Sequence, residues 1–274
     1  QEVIENLARV SHVFFDKTGT LTLSRPQVVH VDLVGSPTTE HLPELSDQRG
    51  VRQGDEVRDS GKDEHTDEDR ILVFAGLVET YSVHILAQGI AAAGKAAMQR
   101  LDIRESPVIR NIEERTGQGI CGEVNGTFVR VGRFDYVAAH THPSEGLTPD
   151  HLFRSPRYRS LNADEMATYV AIAGRIVARI VLEDVPRPNA RRTVERLEGL
   201  GIGRITMLTG DSLASAKIIA GQVGITDVRA ELLPEGKVSA VKSLADAMKP
   251  QAGESSGASA VRQRREPHAG MATT

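Results

Sequence analysis

The stretch His12-Val13-Phe14-Phe15-Asp16-Lys17-Thr18-Gly19-Thr20-Leu21-Thr22 constrains the fold more than any other. Val13, Phe14 and Phe15 form a short apolar run that stops at an acidic residue, the pattern of a buried parallel strand. Ligands of open α/β sheets sit beyond the carboxyl ends of such strands, and Asp16 falls there. After it come a cation, hydroxyls and Gly19, which lets backbone N–H groups approach a phosphate closely. The chemistry this points to is covalent: the Asp16 carboxylate accepts a phosphoryl group as an aspartyl-phosphate.

The rest of the chain supplies the sheet such a strand needs. Ala190, Val194, Leu197 and Leu200 share one helical face before Gly201, and Ile205 to Leu208 then read as a strand stopping at Thr209-Gly210-Asp211. A second helix carries Ala214, Ala216, Ile218, Ile219 and Val223 up to Gly224. This alternation predicts βαβ units and a parallel sheet with right-handed crossovers. Between the halves, residues 26–34 predict a strand. The region from Ile71 to Met98 predicts two helices around a break at Glu79-Thr80-Tyr81-Ser82-Val83-His84. Alternation at Ile120, Val124, Phe128, Val129 and Val131 about Asn125-Gly126 predicts a β-hairpin, and residues 168–173 and 176–182 a second one about Gly174-Arg175. Val3, Leu7 and Val10 predict a short helix at the start.

Composition sets limits. The 274 residues suffice for one or two domains, and a net charge of −4 argues against a nucleic-acid partner. The single cysteine, Cys121, rules out an internal disulfide and fits a reducing compartment. No apolar run approaches the roughly 20 residues of a membrane span, and no signal-peptide pattern follows Gln1, so a soluble piece is expected. Residues 46–70, crowded with charge and nearly without apolar side chains, predict a disordered loop, and 250–274 a disordered tail. His140, His142 and His151 have no partner cysteines at ligand spacing and are read as solvated; the charge run around His65 is read as solvated too, with metal sensing through His65 and its acidic neighbours as the lesser alternative.

The string Asp16-Lys17-Thr18-Gly19-Thr20-Leu21-Thr22 resembles the phosphorylation motif of the P-type ATPases. Three further stretches resemble that family. Glu79-x-x-Ser82-x-His84 is similar to the Glu-x-x-Ser-x-His-Pro signature of the heavy-metal class, with Ile85 in place of the proline. Gly117-x-Gly119 is similar to its nucleotide loop. Asp184-x-x-Arg187, Thr209-Gly210-Asp211 and Pro234-x-x-Lys237 are similar to its remaining catalytic motifs. The resemblance implies a haloacid-dehalogenase-like Rossmann phosphorylation domain (1–30 and 179–249) with an inserted α+β nucleotide-binding domain (31–178).

It further implies ATP and Mg²⁺ as cofactors, with Glu79, His84, Gly117 and Gly119 around the nucleotide. Asp16 becomes the nucleophile, and Lys17, Thr18, Thr209, Gly210, Asp211 and Lys237 the catalytic shell, with Asp184 in the same shell. Asp16 and Thr18 are the expected Mg²⁺ contacts. The membrane-embedded part of a copper or zinc/cadmium pump is the expected partner, placing the chain at the cytoplasmic face of a membrane. The family continues with a Gly-Asp-Gly-x-Asn-Asp hinge, whereas residues 246–274 do not match it, so an incomplete phosphorylation domain is expected. Two competing readings stand beside this one. One is a non-catalytic nucleotide-binding fragment. The other is a haloacid-dehalogenase-type phosphatase, disfavoured because Thr18 occupies the position of that class's second aspartate.

Overall fold

A computed structural model describes residues 10–34, 42, 43, 45, 60–141 and 159–247, with the backbone alone at 60–65 and 244–247. In chain order it contains β1 (His12–Asp16), a tight turn (Lys17–Leu21), β2 (Gln27–Leu33), α1 (Ser60–Glu79) and α2 (Ile85–Arg100). Then come β3 (Ile109–Arg115), β4 (Gly119–Val124), β5 (Thr127–Gly132), α3 (Phe134–Ala138), β6 (Glu165–Ile172) and β7 (Arg175–Glu183). The last part holds α4 (Ala190–Gly199), β8 (Arg204–Leu208), α5 (Leu213–Val223), β9 (Asp227–Arg229) and α6 (Pro234–Ala247).

Two sheets result, each with its own core. The smaller is parallel, in the order β1-β8-β9, with Asp16 opposite Leu208 at its carboxyl edge. Its core is Leu21, Val194, Met207, Ala216, Ile219 and Val223, so the periodic faces of α4 and α5 pack where their spacing directs. Ser212 caps α5 by accepting from the Ser215 N–H, and Gly224 ends it in the left-handed conformation.

The larger sheet is antiparallel, in the order β2-β7-β6-β5-β4-β3. Asn125 and Gly126 both have positive φ, as a two-residue hairpin turn between β4 and β5 requires. Val73, Phe74 and Val78 of α1 and Ile90 and Ala97 of α2 cover one face, against Ile120, Val129, Val131, Ile180 and Leu182. Fully burying each large aliphatic side chain stabilises by about 1.5–3 kcal/mol, so this face dominates the unit's stability. The two helices touch at glycines: a Cβ on Gly94 would lie 2.5 Å from the Leu72 carbonyl and 2.9 Å from Gly76 Cα. On the other face, Tyr136, Val137 and Ala138 of α3 pack with Ala171 and Ile176. Arg179 and Asp32, on neighbouring strands and both buried, form an ion pair at 2.6 Å.

The two connections between the sheets run side by side. Leu23 N–H donates to the Val185 carbonyl at 2.9 Å, Arg187 N–H to the Leu21 carbonyl at 2.8 Å, and Thr22 bridges Pro186.

The expected strands and hairpins are present, whereas β3, α3 and β9 were not anticipated. The expected disordered loop at 46–70 is corrected in part, because helix α1 begins at Ser60. Its first two turns are rich in charge, but it continues into the apolar run from Ile71, and Asp67 is already buried. Residues 46–59, the expected first helix up to residue 9, residues 142–158 and the tail from 248 lie outside the described residues. No helix among the described residues is long and apolar enough to cross a membrane.

Candidate active site

Asp16 ends β1 with its side chain 46% exposed, and the Lys237 ammonium donates to its Oδ1 at 2.6 Å. Lys237 lies in the first turn of α6 and comes from 221 residues further along the chain. Immediately after Asp16 the chain turns sharply. Gly19 has φ 76° with open space where a Cβ would be, so its glycine serves conformation rather than packing. Buried Thr22 holds the turn shut: its hydroxyl donates to the Lys17 carbonyl at 3.2 Å and faces the Gly19 N–H at 3.4 Å. Arg187 donates to the Gly19 carbonyl at 2.8 Å.

Lys17 differs from expectation. Its side chain is 1% exposed, and it is bound to Asp184 at 2.5 Å and to Asp211. Burial works against its charge, but the two carboxylates outweigh that penalty and raise its pKa above the ordinary value. The ammonium therefore fixes Asp184 and Asp211 behind the turn instead of standing open to a ligand. Thr18 is exposed. Thr209 is buried, one residue past the Asp16–Leu208 pair, and its hydroxyl accepts from the Asp211 N–H at 3.1 Å. Gly210 is tight: a Cβ there would lie 3.2 Å from the Leu232 carbonyl. Asp16, Lys17, Thr209, Gly210, Asp211 and Lys237 thus gather at one sheet edge from three distant segments. Asp184, expected in the same shell, joins it through Lys17, and Arg187, outside the expected set, joins it through the Gly19 carbonyl.

The other expected residues meet in the larger unit. Glu79, His84, Gly117 and Gly119 line one cavity, together with Ser82, Glu114, Ile120, Arg133 and Thr168. Glu79, at the end of α1, is buried, and its pKa is pushed up to about 8, first by burial and then by the neighbouring Glu114 carboxylate. At neutral pH it is a carboxylic acid, with one O–H donor and one carbonyl acceptor. Exposed His84 is the N-cap of α2; its Nδ1 accepts from the Leu86 N–H at 3.3 Å, which leaves the ring proton on Nε2, free to donate. Gly117 opens onto unfilled space. Gly119 is needed for packing, since a Cβ there would lie 2.2 Å from the Val131 carbonyl. Ser82 and Glu114, which sequence reasoning did not select as site residues, join across the cavity wall at 2.5 Å. Ser82 stood inside the Glu-x-x-Ser-x-His stretch, and Glu114 just before Gly-x-Gly.

An exposed carboxylate on a tight turn beyond a parallel strand, with a lysine on its oxygen and a threonine and an aspartate at the next strand end, defines the class. The chain belongs to the haloacid dehalogenase-like hydrolases, whose family model matches residues 10–252. Within that class its likeness is to the catalytic portion of heavy-metal P-type ATPases. It is 32% identical over 244 residues to the copper-exporting P-type ATPase of Mycobacterium tuberculosis, covering 89% of this chain and 26% of that protein. It is 28% identical over 243 residues to copper-transporting ATPase 2 of Rhizobium meliloti, covering 89% and 24%. Among solved structures it resembles a zinc-transporting PIB-type ATPase in the E2.Pi state, with TM-score 0.58 and 27% identity over 89% of this chain and 33% of that one. The chain thus spans about a quarter of the length of these curated relatives.

Proposed function

We propose that the chain is the phosphorylating and nucleotide-binding portion of an ATP-driven heavy-metal cation pump, in which Asp16 takes the γ-phosphoryl group of ATP. The observation that carries this reading is the exposed Asp16 carboxylate at the sheet's carboxyl edge, with the Lys237 ammonium 2.6 Å away. ATP binds with its base at Glu79 and His84 and its backbone along Gly117 and Gly119. An Asp16 oxygen attacks phosphorus in line as the bond to the β-phosphate oxygen breaks, and ADP leaves with that electron pair. Lys237 offsets the negative charge that gathers on the transferring group, while Thr209 offers its hydroxyl to the phosphoryl oxygens. Lys17 acts one step back, holding Asp184 and Asp211 in place.

The donors at this edge are hard carboxylate oxygens, which suit Mg²⁺. That ion takes one or two carboxylates and completes its shell with phosphate and water, so no cluster of three ligands is required. Asp16 and Thr18 would hold it, with Asp211 adjacent, and when bound it supplies charge neutralisation on the phosphates. Two domains carry these tasks. Because all of β2 and β7 hydrogen-bond in the larger sheet, we set the crossings near residues 23–26 and 183–185, outside the boundaries expected at 30 and 179. The ion path and its specificity belong to a membrane-embedded partner segment, which puts this portion on the cytoplasmic side.

Incubation with γ-labelled ATP and Mg²⁺, followed by acid quench and gel electrophoresis, tests the reading. An acid-stable, hydroxylamine-labile label is expected on the parent and not on Asp16→Asn. A label that survives in Asp16→Asn would refute the assignment.

A further inference from the structure

Part of the cavity wall is bare backbone. Gly119 on β4 and Gly132 on β5 lie directly opposite each other, and both line the cavity. Neither position has room for a side chain. A Cβ on Gly119 would lie 2.7 Å from Gly132 Cα and 2.8 Å from Tyr136 Cδ1. One on Gly132 would lie 2.7 Å from Gly119 Cα and 3.0 Å from the same ring carbon. The Tyr136 ring of α3 therefore sits against the glycine pair, and the backbone of that pair separates the ring from the cavity. An aromatic ring laid over a cross-strand glycine covers the surface that the missing side chain leaves bare and helps to pin the register.

The ring is itself gripped. Tyr136 is buried, and its neighbours Val137 and Ala138 pack with Ala171 and Ile176 of the sheet. Two guanidinium groups flank it: that of Arg130, also buried, 4.8 Å from the ring centroid, and that of Arg115 at the end of β3, 5.9 Å away. Such contacts strengthen where water is excluded. Arg115 also opens the turn that carries Gly117, since the Gln118 N–H donates to its carbonyl at 2.9 Å. The Gln118 carbonyl in turn accepts from the Arg133 N–H at 2.8 Å. The ring thus lies where the ends of β3, β4 and β5 converge on the turn. Its hydroxyl takes no part in this, being buried without a hydrogen-bond partner beside the Cys121 thiol.

Resting on the nucleotide-binding reading above, we propose that Tyr136 is a positioning residue for the nucleotide. Its flat ring, held by Arg115 and Arg130, sets the height of the Gly119–Gly132 wall and with it the Gly117–Gly119 turn along which the nucleotide lies. Tyr136 itself touches no ligand. Binding groups must be held to within about 0.5 Å by what stands behind them. A side chain without a flat face lets the glycine pair settle back, and every contact made by the turn weakens together.

The test is calorimetric titration of the full chain with ATP, because it reads affinity and stoichiometry separately. A partly unfolded sample loses sites per chain at the parent's Kd, whereas a displaced wall raises Kd at the parent's stoichiometry. Tyr136→Leu keeps apolar bulk without the ring, and its Kd should rise about tenfold with stoichiometry unchanged. Tyr136→Phe restores the ring without the unpartnered hydroxyl, and its Kd should return to within about twofold of the parent's. The proposal is overturned by the parent's Kd in Tyr136→Leu, by a loss confined to stoichiometry, or by a Tyr136→Phe protein as weak as Tyr136→Leu. Should Tyr136→Leu not fold, Arg130→Gln decides, since it leaves the ring in place but withdraws a cation from its face. A rise in Kd of about threefold is then expected, and the parent's Kd would overturn the proposal. If ATP binds none of the folded proteins, the nucleotide-binding reading fails and this proposal with it, a result distinct from ATP binding at one Kd throughout.

Discussion

The buried acid Glu79 makes the stability of the larger unit depend on pH, and the size of the effect follows from its environment. Glu79 moves from an unfolded value of 4.5 to about 8 in the fold, so the folded state binds the proton more tightly than the unfolded chain does. Its contribution to stability is complete below pH 4.5 and is lost as pH rises, until it levels off above about pH 8. The full span is about 5 kcal/mol, of which about 3 kcal/mol is lost by neutral pH. Glu79→Gln keeps the shape and cannot ionise, so it removes the dependence. Urea unfolding of the two proteins, measured side by side from about pH 5 to about pH 9, isolates this group because every other titration cancels in the difference. The glutamine protein should gain steadily on the parent across that range. A difference that is constant with pH would refute the account of Glu79 as a buried neutral acid.

Three further outcomes follow from the geometry. Lys17→Met leaves Asp184 and Asp211 without their buried cation, and urea unfolding at neutral pH should show a loss of about 3–5 kcal/mol. Lys237→Ala removes a half-exposed partner of Asp16; the rate of phosphoenzyme formation should drop about a hundredfold in quench experiments, while stability changes by less than about 1 kcal/mol. Gly94→Ala drives a methyl group into the Leu72 carbonyl and Gly76. It should lower the urea midpoint by the equivalent of about 1–3 kcal/mol.

Local patterns made much of this molecule legible. The apolar run ending at Asp16, the Asn125-Gly126 turn and the one-sided faces of α4 and α5 each follow from neighbours within a few residues, and each element is present. The start of α1 was hidden because its first turns carry charge, and the apolar face that anchors the helix lies further along. Strand β3 was missed for a related reason. It sits at the sheet edge with most of its side chains exposed, so period-two alternation is weak there. The site divides in the same way. The residues of the signature strings meet at two places, Asp16 with Lys237 at the edge of the small sheet and Glu79 with Gly119 in the cavity of the larger unit. What the strings cannot convey is who faces whom: Lys17 is consumed by two carboxylates, and Glu79 is kept uncharged first by its burial and then by Glu114 on β3. Those relations belong to tertiary packing, which no local period encodes.

The paired connections between the two sheets carry a consequence for how the chain acquires its structure. In the small sheet β1 must find β8, and His12 and Thr206 are 194 residues apart. Closing a flexible loop of that length costs about 5 kcal/mol of chain entropy. Once the larger sheet has formed, however, its neighbouring strands β2 and β7 deliver both ends to the same spot, where Leu23 meets Val185 and Thr22 meets Pro186. The remaining closure, from that bridge to the Asp16–Leu208 pair, is then that of a loop of about 28 residues, about 2 kcal/mol easier. The topology therefore favours one order of assembly, in which the excursion folds first and the strand that ends in Asp16 is zipped to its partner afterwards.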